Sequence, residues 1–122
     1  MKNKNKLTII AEIGINHNGS LKLAKKLVDK AKDSGADFIK IQNYLPTLIV
    51  TKNNPKAQYQ KNNNQNENMQ SMLRKYHFNF SKTSQLLKYC KKKNIKFLSS
   101  PFDEVSFDYL KKKRLSLIKI PS

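Results

Sequence analysis

Short clusters of apolar residues alternate with polar stretches along the chain, and each cluster has the spacing of a strand or a helix. Runs rich in β-branched residues predict four strands, at residues 7–13, 38–42, 95–99 and 117–120. Apolar residues three and four positions apart predict helices between these strands. The first helix follows Ser20, a good N-cap, and ends at Gly35, a residue typical of helix C-termini.

The other connections also contain helical patterns. Residues 43–65 are predicted to form a long polar connection, a surface loop with an Asn/Gln/Lys tract at 61–66, and residues 67–76 a short helix. Ser81 is predicted to cap a longer helix that ends near Asn94, and a further helix covers residues 102–113. The alternation of strands and helices is typical of an α/β protein built from parallel βα units with right-handed crossovers.

The size and composition of the chain restrict its class. A length of 122 residues allows a single domain or part of one. No apolar run reaches the ~18 residues of a membrane span, and the run at 7–13 contains Glu12 and lacks a cleavage site for a secretory signal. The single cysteine, Cys90, excludes an intrachain disulfide and a multi-cysteine zinc site, so we expect it in the core of a cytoplasmic protein.

The basic composition admits two interpretations. The 25 Lys and Arg residues exceed the 8 Asp and Glu residues, for a net charge of +17, which leaves open a small nucleic-acid-binding or polyanion-binding module. We favour solvated surface charge, because 23 of the 25 are lysines, whereas base recognition and phosphate recognition favour arginine. Lysine clusters at 91–93 and 111–113 also lie near predicted helix ends, where cations suit the helix dipole.

Polar side chains occur near the carboxyl ends of the predicted strands, which is where parallel βα folds bind ligands. The candidate residues at this edge are Glu12, Lys40, Gln42, Ser99, Ser100, Lys119 and Ser122. Gln42 follows Lys40 by two positions and therefore shares its face of the strand.

Two lysines among these candidates predict an anionic ligand. Lys40 and Lys119 each lie between two isoleucines, so we expect both to be largely buried, and a buried ammonium group needs an anionic partner. The ligand would be a phosphate or a carboxylate. An outward orientation into solvent is the alternative for each lysine. For Glu12, a role in proton transfer or hydroxyl orientation competes with a salt bridge to a neighbouring lysine.

The two histidines give weaker signals. His17 lies in the polar loop 14–19, where it either contacts a ligand or is held by local hydrogen bonds. We interpret His77 as structural. Sixty residues separate the two, which is no metal-ligand spacing, and the sequence contains no glycine-rich nucleotide motif.

Four segments in order resemble the sialic acid (N-acetylneuraminate) synthase family, which includes the legionaminate and pseudaminate synthases. They are AEIGINHNG at 11–19, SGADFIKIQ at 34–42, FLSSPFD at 97–103 and IKIPS at 118–122. The stretch at 57–73 is most similar to the legionaminate branch. The resemblance implies the N-terminal half of a (β/α)8 TIM barrel with about four parallel strands, one partial domain over residues 1–122 that is truncated at Ser122.

The resemblance also implies a reaction. Family members are transferases that condense phosphoenolpyruvate with N-acetylmannosamine or a related acetamido sugar, form a nonulosonic acid and release phosphate. A divalent metal, Mn2+ or Mg2+, is implied for the full-length enzyme, with ligands outside residues 1–122. A full-length homodimer without nucleic-acid or membrane partners is implied as well, and we expect the 122-residue chain alone to be inactive.

The family's site residues map onto this sequence one by one. The implied phosphoenolpyruvate contacts are Lys40, Ser100, Lys119 and Ser122. Glu12 matches the glutamate near the reacting carbons, and Gln42 and His17 are the expected sugar contacts. Asn43 replaces a frequent threonine, which leaves the substrate preference open.

Overall fold

The computed structural model describes residues 6–49 and 65–122, with side chains in the second range from residue 69 onward. Within these ranges the strands are β1 (Ile10–Gly14), β2 (Phe38–Asn43) and β3 (Lys96–Pro101). The helices are α1 (Leu21–Asp33), α2 (Pro46–Ile49), α3 (Gln65–Lys75), α4 (Phe80–Lys92) and α5 (Glu104–Lys112).

The three strands form one parallel sheet in the order β1-β2-β3. The register pairs Glu12 with Lys40 and Gln42 with Ser100. This arrangement confirms the predicted α/β class and its βα units. The predicted fourth strand at 117–120 is wrong: within the described ranges this segment reaches the sheet through one backbone hydrogen bond, from Lys119 N–H to Ser99 O at 3.1 Å, too few for a ladder.

The helix boundaries follow capping chemistry. Ser20 caps α1 as predicted, its hydroxyl accepting from Leu23 N–H at 3.1 Å. The prediction of Ser81 as the α4 cap is wrong, because Asn79 accepts from Lys82 N–H at 2.8 Å and the helix begins one residue before Ser81. The lysine clusters at 91–93 and 111–113 lie at the ends of α4 and α5, where they complement the helix dipole as predicted, and Lys30 and Lys32 lie in the last turn of α1.

The core lies between the sheet and the helices. Alternate strand residues, among them Ile39, Ile41 and Phe97, belong to one cluster with residues of α1, α4 and α5. Cys90 of α4 is buried in this cluster, and burial raises the pKa of its thiol to about 12. The prediction of a core cysteine is confirmed, and a thiol with this pKa is a poor nucleophile at neutral pH.

The connection between β2 and α4 contains more helix than its polar sequence suggested. Helix α2 interrupts the predicted loop, and α3 begins two residues before the predicted helix. Most of the Asn/Gln/Lys tract and the first part of the stretch at 57–73 lie outside the described residues. Within the described ranges, no helix has the length and apolar character needed to cross a lipid bilayer.

Candidate functional site

An ion pair joins the first two strands on the sheet face opposite the helices. The Lys40 ammonium lies 2.5 Å from Glu12 Oε2, across the β1–β2 register. The Lys40 side chain is 16% exposed and that of Glu12 is 47% exposed. Lys40 is therefore largely buried, as its strand position predicted, and the salt bridge that the sequence left open for Glu12 is formed.

Gly14 shapes the backbone beneath this ion pair. The register shifts between Glu12 and Gly14, and Gly14 has a φ of 55°, a conformation that favours glycine. A Cβ at Gly14 would lie 3.2 Å from Glu12 Oε1, closer than an ordinary contact. The missing side chain of Gly14 therefore leaves room for the Glu12 carboxylate beside it.

Lys119 joins the ion pair at one open cavity of about 430 Å3, which we call the ion-pair cavity. Its lining consists of Ile10, Glu12, Lys40, Leu98, Leu117, Ile118 and Lys119. Lys119 is exposed and lies outside any strand, which corrects the expectation that it is largely buried in one. Two ammonium groups and one carboxylate leave the cavity with an excess positive charge, which suits a small anion.

Gln42 and Ser100 lie farther along the same face, at the carboxyl ends of β2 and β3. They are partners in the β2–β3 register. Gln42 lines a second cavity, separate from the ion-pair cavity in its lining residues. Ser100 is buried, and its hydroxyl has no hydrogen-bond partner in the described structure. An unpaired buried hydroxyl is unusual and marks a position for a ligand or water.

His17 is held inside the protein. Its side chain is 1% exposed, its Nδ1 accepts from Gly19 N–H at 2.9 Å, and its ring lies 4.4 Å from the Phe78 ring. Burial and the nearby Lys82 charge lower the pKa of His17 to about 4, so the imidazole is neutral at pH 7. The Nδ1 atom thus forms the local hydrogen bond that the sequence allowed, whereas the buried Nε2 atom has no partner among the described residues. His17 lines neither cavity, and its expected contact with the sugar stays a prediction.

The loop that carries His17 packs tightly against the α3–α4 connection. Gly19 has a φ of 74°, and a Cβ there would lie 2.6 Å from the Lys75 carbonyl oxygen. The Lys82 ammonium donates to Gly19 O at 2.6 Å. His77, in this connection, is partly buried with a pKa lowered mainly by desolvation. This packing agrees with the interpretation of His77 as structural.

Two further predicted residues lie away from the cavities. Ser122 is exposed and lines neither cavity. Asn43 lies on the helix side of the sheet, fully buried: its amide donates to Thr83 Oγ1 at 2.9 Å and accepts from Ser99 Oγ at 2.6 Å. Asn43 therefore supports the fold beneath the site.

Sequence reasoning missed the apolar residues that surround Gln42. Tyr44 just after β2, Met72 on α3 and Tyr76 just after α3 line the second cavity together with Gln42. The sequence predicted a short helix at residues 67–76, but not that this helix lies beside Gln42. Within the described residues, no group of three or more His, Cys, Asp or Glu side chains could hold a metal ion.

Comparisons with known proteins agree with this arrangement. Residues 27–122 match the model of the NeuB family. The N,N'-diacetyllegionaminic acid synthase of Campylobacter jejuni is 44% identical over 96% of this chain and 35% of its own length. The synthase of the same name from Legionella pneumophila is 43% identical over 93% of this chain and 32% of its length. The chain therefore spans about a third of the length of these curated relatives.

A solved structure shares the fold. The crystal structure of N-acetylneuraminic acid (sialic acid) synthetase from Leptospira borgpetersenii, in complex with citrate, superposes with a TM-score of 0.76 at 29% identity. The match covers 98% of this chain and 39% of that chain. It confirms the predicted fold, the N-terminal part of a (β/α)8 barrel, with three strands in place of the expected four among the described residues.

Proposed function

The chain belongs to the NeuB family, and from this premise we propose that it is the N-terminal part of a nonulosonate synthase that uses phosphoenolpyruvate. The proposed acceptor is an N-acetylated amino sugar, such as N-acetylmannosamine or a diacetamido relative. The names of two relatives, which carry two N-acetyl groups in their product, favour the diacetamido type.

The ion-pair cavity carries this proposal. Phosphoenolpyruvate bears a phosphate and a carboxylate, and Lys40 and Lys119 offer two ammonium groups at one cavity with a single carboxylate beside them. Charge-assisted hydrogen bonds from these ammonium groups suit such an anion. We assign Ser100 and Ser122 to the same substrate as hydroxyl donors, Ser100 because its buried Oγ lacks a partner.

The proposed reaction forms one carbon–carbon bond and breaks one phosphorus-bearing C–O bond. The C3 carbon of phosphoenolpyruvate attacks the sugar aldehyde, whose oxygen gains a proton and becomes a hydroxyl. Water adds at C2 and phosphate leaves, which turns C2 into the ketone of the product. We assign proton exchange to Glu12, because its carboxylate lines this cavity beside Lys40 and is 47% exposed. Gln42 is assigned to the sugar.

The divalent metal and the partner subunit belong to the proposal for the complete enzyme. The described residues offer no metal-ligand set, so no step here is assigned to the metal. The homodimer and the cytoplasmic location stay expectations of the same kind. We also propose that the 122-residue chain alone does not turn over, because a (β/α)8 barrel closes with eight strands and the described sheet has three.

Binding of phosphoenolpyruvate to the 122-residue chain tests the proposed anion site. We expect titration to shift the backbone amide NMR signals of Lys40 and Lys119, and Lys40→Met to weaken binding about tenfold. Lys88→Met, a change at an exposed lysine on α4, is the matched control and leaves affinity unchanged. Equal weakening by both variants would show nonspecific attraction to a basic surface, and the site assignment would be lost.

An activity assay tests the second part of the proposal. The chain is incubated with phosphoenolpyruvate, Mn2+ and N-acetylmannosamine, and free phosphate is measured. We expect no release above the background. Release at a rate typical of enzymes, about 1 s−1 or faster, would contradict the proposed need for the rest of the barrel.

A further inference from the structure

The residues that follow β2 and β3 are joined through a side chain at the carboxyl-end edge of the sheet. Phe102 N–H donates to Asn43 O at 2.9 Å, a bond between the two backbones. Farther from the sheet, Leu45 N–H donates to the carboxylate of Asp103, with 2.7 Å between the nitrogen and Oδ2. The link between the two segments therefore continues past the backbone ladder through Asp103.

The same carboxylate begins helix α5. Asp103 Oδ1 accepts from Ser106 N–H at 2.7 Å, which is the N-cap bond, and Oδ2 accepts from Ser106 Oγ at 3.0 Å. An N-cap needs only one acceptor oxygen, which serine or asparagine supplies about as well as aspartate. Capping alone therefore does not require a carboxylate at this position, whereas a cap combined with the Leu45 bond uses both of its oxygens.

The Leu45–Asp103 bond lies next to the proposed phosphoenolpyruvate contacts. Gln42 pairs with Ser100 in the β2–β3 register, and Lys40 lies two residues before Gln42 on the same strand. Leu45 follows Gln42 by three residues, and Asp103 follows Ser100 by three. A bond from a backbone N–H to a carboxylate is stronger than one between neutral groups, and this bond is partly buried. It therefore fastens the two strand ends that carry these contacts.

We propose that Asp103 is a positioning residue for phosphoenolpyruvate. Through Leu45 N–H, its carboxylate holds the end of β2 against the end of β3 and so keeps Lys40 and Ser100 together for one ligand. Asp103 lines neither the ion-pair cavity nor the cavity around Gln42, so it acts through the strands and not by contact with the substrate. This inference rests on the proposed function, which assigns Lys40 and Ser100 to phosphoenolpyruvate.

The variant Asp103→Ser separates the cap from the Leu45 bond. A serine hydroxyl caps α5, but its single oxygen does not replace both carboxylate oxygens. We expect faster hydrogen exchange at the Leu45 amide and about fivefold weaker phosphoenolpyruvate binding, the lower end of the usual coupling between sites. The titration is followed by the amide NMR signals of Lys40 and Ser100. The loss of a negative charge alone would strengthen binding of an anion, so the direction of the change is diagnostic.

The matched control is Asp37→Asn, at the opposite edge of the sheet. Asp37 Oδ2 accepts from Ile9 N–H at 2.9 Å, just before β1 and β2 begin. The variant removes the same charge and the same kind of bond, but at the amino ends of the strands. We expect faster exchange at the Ile9 amide and an unchanged affinity for phosphoenolpyruvate. Circular dichroism of both variants checks that the helices are retained.

A measurement on the parent chain needs no variant to fold. Coupling between two equilibria is reciprocal, so a bond that tightens ligand binding is itself stabilised by the ligand to the same extent. We expect saturating phosphoenolpyruvate to slow hydrogen exchange at the Leu45 amide about fivefold. Exchange at the Ile9 amide, which is bonded to Asp37, stays as it is without the ligand. A purely structural cap at Asp103 gives no such difference between the two amides.

The outcomes separate this inference from the proposed function. Unchanged or tighter phosphoenolpyruvate binding by Asp103→Ser would reduce Asp103 to a helix cap, and so would a Leu45 amide that stays protected in this variant. Equal weakening by Asp37→Asn, or equal slowing of the Leu45 and Ile9 amides, refutes the positioning role as well. In all these cases Lys40 still shifts in the parent chain, and the proposed anion site stands. If phosphoenolpyruvate shifts neither Lys40 nor Lys119, the proposed function is lost and this inference with it.

Discussion

The two faces of the same three strands differ in how completely their side chains are buried and hydrogen-bonded. On the helix face, Ile39 and Ile41 are fully buried, and Asn43 bonds to both Ser99 and Thr83. On the opposite face, Glu12 and Lys40 form an ion pair, and two cavities are open. The Ser100 hydroxyl on this face has no hydrogen-bond partner among the residues that the structure describes.

This difference separates what holds the fold together from what is available for chemistry. A buried polar group that is fully hydrogen-bonded stabilises one arrangement and has no capacity left for a ligand. A partly exposed ion pair and an unpartnered hydroxyl contribute little to stability but keep bonding capacity for a substrate. Substitutions on the two faces should therefore differ in kind, stability on one and binding on the other.

The largest expected difference comes from the same change made on each face. Ile39→Ala removes a fully buried side chain between sheet and helices, and we expect it to lower the free energy of unfolding by about 2–5 kcal/mol. Ile10→Ala removes an isoleucine that is 46% exposed, and we expect a loss of about 1 kcal/mol or less. Urea denaturation followed by circular dichroism measures both. Equal losses would contradict the assignment of the core to the helix face.

The buried polar network gives the next largest effect. Asn43→Leu leaves the Ser99 hydroxyl, which donates to Asn43 Oδ1 at 2.6 Å, without its buried acceptor. We expect a destabilisation of about 2–3 kcal/mol. Gln42→Leu, the same change one residue earlier, lies on the cavity face and should alter stability by about 0.5 kcal/mol or less. A larger loss from Gln42→Leu would reverse the proposed division of roles.

Most helices and strands could be predicted from the sequence, but the contacts of individual polar side chains could not. Ser20 and Gly35 identified the ends of α1 because capping depends on local backbone geometry. The segment at 117–120 has the composition of a strand, but a strand also needs a ladder of hydrogen bonds with a neighbour. That requirement is not encoded within the segment itself.

The candidate site was predictable only as far as strand alternation reaches. Alternation placed Lys40 and Gln42 on one face of β2, and in the structure both lie on the face opposite the buried Ile39 and Ile41. It did not reveal that Glu12 bridges Lys40, that His17 is buried against Phe78, or that Met72 lies beside Gln42. Each of these contacts joins residues whose packing depends on the path of a loop, and a loop's path is weakly determined by pattern alone.

A pH titration tests whether the His17 side chain is buried in the folded protein, like the side chains on the helix face of the sheet. The folded-state pKa of about 4 lies below the ordinary value of 6.5, so the unfolded chain binds a proton first as the pH falls. The contribution of neutral His17 to stability is complete above about pH 6.5 and is lost toward pH 4. We expect the unfolding free energy to fall by about 2 kcal/mol more in the parent chain than in His17→Gln.

Other groups titrate in the same window, so the comparison with a variant is essential. His77 also has a lowered pKa, from burial and the Lys82 charge, and His77→Gln shows its separate share. If the unfolding free energies of the parent chain and the His17→Gln variant depend on pH in the same way, the His17 imidazole is solvated and not buried.

The smallest expected effect is a change in ligand affinity at the ion-pair cavity, on the sheet face opposite the helices. Glu12→Gln removes the one carboxylate from the ion-pair cavity and releases the Lys40 ammonium from its partner at 2.5 Å. We expect phosphoenolpyruvate to bind about fivefold more tightly, equal to about 1 kcal/mol, the upper range for a partly exposed ion pair. The gain should shrink as salt is added, because exposed charges are screened. Weaker binding would instead show that Glu12 holds Lys40 in position for the anion, so that the pair acts as one unit and the glutamate is not a competitor.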